Sequence, residues 1–568
     1  MTHKMLSFLF SLCACTAHAQ TEVQDIPASL SEVFAPVRVA AAPSDAYIGL
    51  SLLPDGELRH YNYGEQADPG SFYLRSTDKG LTWKKVRTAA QLPYADVQSP
   101  ISGEFLRLAN MQGEGVYCIR TAGGIHGDRT VRKVTDTSSI MLKPPVYIRG
   151  GRRVIVAGHG GVTPKGCYVY YSDDDGLHWK RSTTVTAPDH VKGGPHKGIR
   201  WNHGAVEPTV IELQDGRLWM LMRTSQDFHY ESFSTDGGET WSESRPSVFY
   251  GTITMPTLGR LADGRLLLIW SSTTPLPELE TATGVWDDVF TNRDVAHVAI
   301  SDDDGHTWTG FRELMLNPLR DAADFGSGND GIDRSVHQAQ FVEVAPGKIC
   351  ASIGQHRSLR SIVLFDVGWL YEQERSDDFS DGLRRWCVFN YRKGITGHCA
   401  YDRTPGCTLV PHPSGSGRNV LQVKYLPDST LVDDNRGAVW NFPAMRTGQF
   451  TARMSVPAGS EGISLLLNDH WFNPCDTVAL HESMYVLRID RRRLGIWDDD
   501  FHDVTLRWDL QGKRQDAVVY VDGRKRLRLP LQKDTPLGIS YVHFLAETSA
   551  GHAGILLERV QAAARTRP

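Results

Sequence analysis

The chain has 568 residues, 40% of them hydrophobic and 22% charged, with a formal net charge of −5. Its 61 basic and 66 acidic side chains are interspersed, so no electrostatic footprint for nucleic acid exists and a polyanionic partner is not expected. After the first twenty residues no apolar run approaches the roughly 18 residues that cross a bilayer, so no membrane span is expected.

The opening, MTHKMLSFLFSLCACTAHAQ, reads as a secretory signal. It has a basic start, an apolar stretch from Met5 to about Leu12, and a small-residue exit at Ala17-His18-Ala19. Residues 1–19 are thus expected to be a signal peptide, and the mature chain is expected to be secreted, periplasmic or at the cell surface. Leu12-Cys13-Ala14-Cys15 offers a second cleavage box that would leave a lipid anchor on Cys15. Seven cysteines follow Ala19, among which Cys399 and Cys407 form the only close pair; their spacing suits neither a metal site nor a disulfide-dense scaffold. No cofactor or metal is expected.

One octapeptide, S-x-D-x-G-x-[TH]-W, recurs four times, at residues 76–83, 172–179, 234–241 and 301–308. Its Asp accepts bonds from turn N–H groups, its Gly supplies a positive φ, and its Trp packs beneath the hairpin. Around the boxes a unit repeats: a strand ending in a Gly turn, a second apolar strand, a third strand, then the box. Leu53-Pro-Asp-Gly56, Leu213-Gln-Asp-Gly216, Leu261-Ala-Asp-Gly264 and Val344-Ala-Pro-Gly347 mark the first turn. Counting units gives blades near 45–97, 98–138, 139–195, 196–254, 255–315 and 316–372, a closed six-bladed β-propeller whose first strands line a central funnel.

The repeated octapeptide resembles the Asp box of sialidases and related propellers. In His203-Gly-Ala-Val-Glu-Pro-Thr-Val-Ile-Glu-Leu-Gln-Asp-Gly-Arg-Leu-Trp-Met-Leu-Met-Arg-Thr224 the likeness sharpens. Sialidases with a tyrosine nucleophile carry a similar stretch, a Glu opening the first strand and an Arg on the second. The resemblance thereby implies that Glu207 is catalytic and Arg223 binds substrate, since an Arg fork suits a sugar carboxylate. Arg293, in Asn292-Arg-Asp-Val-Ala-His-Val-Ala-Ile300, resembles a second member of the family's arginine triad.

The sequence also departs from that family. Where an Arg-x-Pro opens blade one in sialidases, this chain reads Ser44-Asp-Ala-Tyr-Ile-Gly-Leu50, leaving Arg59 or Lys143 as substitutes. Nine residues before the turn glycines stand Glu207, Met255, Tyr47 and Gln338. Gln338 occupies the position of the tyrosine nucleophile, with His337 beside it. An amide orients a water, so the expectation is water attack assisted by Glu207 or His337. A smaller family of bacterial mucin-acting sialidases departs from the tyrosine pattern, and this chain resembles that kind more. The general acid implied by the resemblance is Asp68, with Asp128 in reserve.

At Gln373-Glu-Arg-Ser-Asp-Asp-Phe-Ser-Asp-Gly382 the composition changes and short alternating strands continue. The expected architecture is all-β: a six-bladed propeller over 20–372 and a β-sandwich over 376–568, similar to laminin-G or concanavalin-like jelly rolls. The resemblance implies an exo-sialidase releasing terminal sialic acid, with sialylated or other acidic glycans as partners. Two alternatives remain at this stage: a propeller glycosidase or lyase acting on a uronic acid, and a non-catalytic sugar-binding protein.

Overall fold

The computed structural model describes residues 37–41, 49–61, 72–87, 95–111, 114–161, 165–190, 204–251, 253–273, 293–321, 335–355, 360–391, 403–426, 435–547 and 553–566. Residues 1–19, Cys15 among them, and Tyr47, Asp68 and Cys399 lie outside them. Six four-stranded antiparallel sheets come first. Five are consecutive in sequence: Leu50–Leu52 to Lys84–Arg87, Val97–Gln98 to Asp128–Thr135, Val146–Ile148 to Lys180–Arg181, Val206–Glu212 to Arg245–Tyr250, and Thr257–Arg260 to Thr309–Leu316. Second strands such as Leu218–Arg223 (LWMLMR) and Leu266–Trp270 (LLLIW) are buried throughout. Their unbroken apolar runs follow from packing between neighbouring blades on both faces. Trp219, Leu221, Leu258, Leu266 and Leu268 share one such core between blades four and five.

Blade six holds a feature the sequence reading missed. Its inner strands, Gln340–Ala345, Lys348–Ile353 and Ser361–Asp366, take Val37–Ala41 as their outer edge, with Val37 opposite Leu364. The ring is closed by pairing the chain's start with its sixth repeat. On the inner side, the backbone N–H groups of Gly49 and Leu50 donate to Gln340 Oε1 at 2.7 and 3.0 Å, joining blade one to blade six.

All four octapeptides sit between third and fourth strands and share one bond set. In the first, Ser76 Oγ donates to Asp78 Oδ1 (2.7 Å), Gly80 N to Ser76 Oγ (2.9 Å), and Thr82 N to Asp78 Oδ1 (2.9 Å). Glycines 80, 176, 238 and 305 have φ between +80° and +96°. Burial would raise the Asp carboxyls, but these donors outweigh it and hold Asp174 and Asp236 at about 2. The boxes are structural clasps on the blades' outer hairpins.

From Glu374–Asp377 onward the chain forms a sandwich of an eight-stranded and a five-stranded sheet. Their shared core includes Trp386, Trp440, Phe450, Leu465, Trp508 and Phe544. This unit packs on blades four and five. Arg403 pairs with Asp294 at 2.7 Å with both side chains sealed from solvent, Asn441 Nδ2 donates to Phe311 O at 2.9 Å, and His470 stacks on Tyr250 with ring centroids 3.6 Å apart. The cysteines at 118, 167, 350, 387, 407 and 475 are buried.

Candidate active site in the central well

The strand Val206–Glu212 begins irregularly. Val206 pairs with Arg223 and Thr209 with Leu221, so Glu207-Pro208 forms a bulge. Proline lacks the donor that a regular ladder would need, and the bulge turns the preceding side chain out of the pleat. Glu207 takes a left-handed φ of +49° there. Two other blades repeat the device at the same place: Met141 (φ +52°) and Gln338 (φ +53°) each stand nine residues before their turn glycines, Gly150 and Gly347. Left-handed backbone at a non-glycine costs on the order of 1–3 kcal/mol and clusters at functional sites.

The re-aimed side chains meet. Arg223 Nη1 donates to Glu207 Oε2 at 2.9 Å, and Gln338 Nε2 donates to Glu207 Oε1 at 3.2 Å. His337, next to Gln338, accepts at Nδ1 from the backbone N–H of Met255 (3.2 Å), so a neutral ring carries its proton on Nε2. Lys143 Nζ contacts Met255 Sδ at 3.0 Å. Blades three, four, five and six thus converge on one cluster.

Burial would raise the carboxyl of Glu207. Arg223 foremost, then Lys143, then His159, outweigh that cost and hold it at about 2, so Glu207 is ionised. Burial pulls the Lys143 ammonium down to about 8 against the attraction of Glu207, and lowers His159 to about 4 and His229 to about 3. His159 donates Nδ1–H to Gly160 O at 2.9 Å. At neutral pH the cluster holds one carboxylate against Arg223 and Lys143, an excess of positive charge suited to an anionic ligand.

Arg293 is buried just before the strand Val295–Ser301, and its backbone carbonyl accepts from Val336 N at 2.7 Å, one residue from His337. Arg59 faces a different neighbourhood. Its Nε donates to Glu57 Oε1 at 2.6 Å, its Nη2 to His126 Nε2 at 3.0 Å, and its guanidinium lies over Tyr73, a network spanning blades one and two. Asp128 is exposed at the start of Asp128–Thr135.

Sequence reasoning passed over Arg360. This fully buried side chain donates to Gln338 O and to Ser352 Oγ, both at 2.6 Å, and so grips the backbone of the left-handed residue. His159 and His229 were also missed. An Arg directly before the apolar strand Ser361–Asp366 was the one available signal for the first; the two histidines lie inside strands with no motif to mark them.

Residues 54–323 match the family model of the BNR repeat-like domain. An anhydrosialidase from Macrobdella decora is 32% identical over 108 residues, which is 18% of this chain and 12% of that protein. The chain therefore spans about an eighth of the curated relative it matches. A Trypanosoma rangeli sialidase in complex with sialic acid has 14% identity over 92% of both chains, with a TM-score of 0.31. A protein of unknown function from Dyadobacter fermentans has 16% identity over 59% of this chain and 98% of its own, with a TM-score of 0.39. Residues 54–323, which hold all four Asp boxes, are thus similar to the BNR repeat-like domain and, over a shorter stretch, to a sialidase-type protein.

Proposed function

We propose that the protein is a sialidase-like glycoside hydrolase that releases terminal sialic acid by direct attack of water. The observation that carries this reading is the contact between Gln338 and the ionised Glu207 beside the guanidinium of Arg223. An amide cannot form a glycosyl-enzyme bond as a phenolate does. With Nε2 turned to Glu207, the Gln338 carbonyl points away from the carboxylate and can accept from a water or a sugar hydroxyl.

A carboxylate held near 2 is a weak base, and substrate binding corrects this. When a sugar carboxylate shares Arg223 and Lys143, each cation's hold on Glu207 weakens and its affinity for a proton rises. Glu207 then accepts the proton of the attacking water, while His337, whose Nδ1 accepts from Met255 N, keeps its proton on Nε2 and can donate a hydrogen bond from there. Asp68 remains the proposed general acid for the leaving oxygen, and Arg223 with Arg293 the proposed carboxylate ligands.

The test is release of free sugar from 2,3- and 2,6-linked sialosides, with uronic-acid oligosaccharides in parallel. NMR of the first-formed product distinguishes mechanisms, since direct attack inverts the anomeric centre. A first product with retained configuration would overturn water attack. Release from uronic-acid substrates alone would favour the lyase or uronidase reading, and binding without release a sugar-binding protein.

A further inference from the structure

A short ribbon, Asn390–Tyr391 paired with Arg403–Thr404, stands apart from both large sheets of the sandwich and carries Arg403 to the propeller. The Arg403 guanidinium lies over the Phe389 ring, 4.4 Å from its centroid. Its fork closes on Asp294 of blade five: Nη1 donates to Oδ2 at 2.7 Å and Nη2 to Oδ1 at 3.2 Å. Nη1 also donates to Arg320 O at 2.9 Å. Asn317 completes the grip, its Nδ2 donating to Asp294 Oδ1 at 2.9 Å and its backbone N–H to Asp294 O at 2.7 Å. Asp294 is thus held by side chain and backbone alike. A planar fork on a carboxylate fixes orientation as well as distance, which a point-like ammonium does not.

What Asp294 is joined to brings that grip to the well. Its neighbour Arg293 accepts at O from Val336 N at 2.7 Å, and the residues after Val336 are His337 and Gln338. His337 Nδ1 accepts from Met255 N, and Gln338 Nε2 donates to Glu207. One ion pair and one backbone bond therefore connect a sandwich side chain to the segment that carries two groups of the site. A second sandwich contact, Trp471 N to Ser272 O at 3.2 Å, meets the same blade just beyond Leu266–Trp270. Stability alone is a poor reason for the Arg403–Asp294 pair. Both charges are sealed from solvent and give up their hydration, and an apolar pair of similar volume often holds a fold equally well. An apolar pair would not supply the fixed geometry.

We propose that Arg403 is a positioning residue: from the sandwich it fixes Asp294 and, through the bond between Arg293 and Val336, sets where His337 and Gln338 stand in the well. The sandwich is then part of the catalytic unit rather than an appended module. The effect on turnover rests on the hydrolase reading; the mechanical coupling does not.

The experiment compares Tm, kcat on a sialoside, and the NMR signals of the His337 ring in the histidine-labelled full chain, assigned by their loss in His337→Gln. Rates and spectra are taken below the Tm of every variant. Arg403→Met strands the Asp294 carboxylate and should lower Tm. Adding Asp294→Asn removes the second charge and keeps an acceptor for Asn317, so Tm should recover. In this double variant the His337 signals should stay displaced, and kcat should stay on the order of tenfold to a hundredfold below wild type, as for a misplaced group. Arg403→Lys keeps the charge without the fork and should recover part of the rate. Asn441→Ala loosens the seam at Phe311, away from Asp294, and should lower Tm while leaving kcat and the His337 signals as in wild type. Full kcat in the folded double variant, or His337 signals at their wild-type positions, overturns the proposal and leaves the pair a structural clasp. Displaced His337 signals in a protein that releases sugar from no sialoside leave the coupling standing and remove the hydrolase reading instead.

Discussion

Gln338 and Glu207 stand 131 positions apart, both carry left-handed backbone, and their side chains join at 3.2 Å across the central well. Neither conformation is comfortable for a residue with a Cβ, so the surrounding blades hold both in place. Replacing Gln338 by Glu would set two carboxylates at hydrogen-bond distance. They cannot both ionise easily, so one must titrate well above the present value of about 2 for Glu207. The acid limb of kcat/KM for Gln338→Glu should therefore move to higher pH, and an unmoved limb would mean that the two side chains do not meet in solution.

Glu207→Gln tests the same cluster from the other side. Removing the carboxylate leaves Arg223 and Lys143 without the anion that both attract. Breaking a buried ion pair in this way costs about 3–5 kcal/mol, so a lowered Tm is expected along with a loss of turnover. The Tm deficit should shrink when an acidic sugar is added, because its carboxylate replaces the missing charge. A variant as stable as wild type would show that the pair contributes little.

Arg360 acts through Gln338 rather than on the sugar, since its guanidinium reaches the Gln338 carbonyl and Ser352. Arg360→Met should lower kcat on the order of a hundredfold through misplacement of the amide, while the preference for acid over ester is kept and Arg360→Lys recovers part of the rate. Equal losses in kcat and in acid preference would place Arg360 in the carboxylate site instead.

What could be read in advance divides by range. The Asp boxes were legible because their bonds run from residue i to i+2 or i+4, as in Ser76–Asp78 and Ser76–Gly80, and leave a local signature. Glu207 and Arg223 were singled out by the resemblance of their hairpin to the sialidase stretch, and their contact became visible only in the fold. Gln338 could be set in the same ring only by counting back from turn glycines, which worked because Glu207 and Gln338 both stand nine residues before them. Val37–Ala41 carries no box and pairs with Ser361–Asp366 at the far end of the propeller, so no local pattern exposes it. Arg360 and His159 acquire meaning only from neighbours brought close by the ring.

The division between propeller and sandwich is open to proteolysis. Residues 372–374 are exposed, whereas the seam is sealed by Arg403 with Asp294 and by Asn441 with Phe311. Cleavage near 372–374 should yield two fragments that stay together on a sizing column under native conditions and separate in denaturant. Stable fragments ending within the Asp-box region would contradict a domain boundary at that point.

The seam also carries a titratable group. His297 accepts at Nδ1 from Ser272 N (3.0 Å), so its Nε2–H donates to Tyr541 OH at 2.6 Å, and Tyr541 in turn donates to Glu313 Oε1 at 2.9 Å. The chain thus crosses from blade five into the sandwich and back. Oε2 of Glu313 is buried without a hydrogen-bond partner among the described residues. Burial pushes this carboxyl up to about 7, and the opposing pull of Arg375, the Tyr541 hydroxyl, Arg320 and Arg312 does not cancel it. Because its value in the folded protein is raised, the folded state binds more protons than the unfolded chain between the ordinary carboxylate range and about 7. The stability it contributes is full below that range and is lost as pH climbs through the folded value. The Tm of wild type should therefore fall from pH 5 to pH 7.5 relative to that of Glu313→Gln, whose amide cannot ionise. Parallel Tm profiles for the two proteins would show that Glu313 does not titrate in the seam.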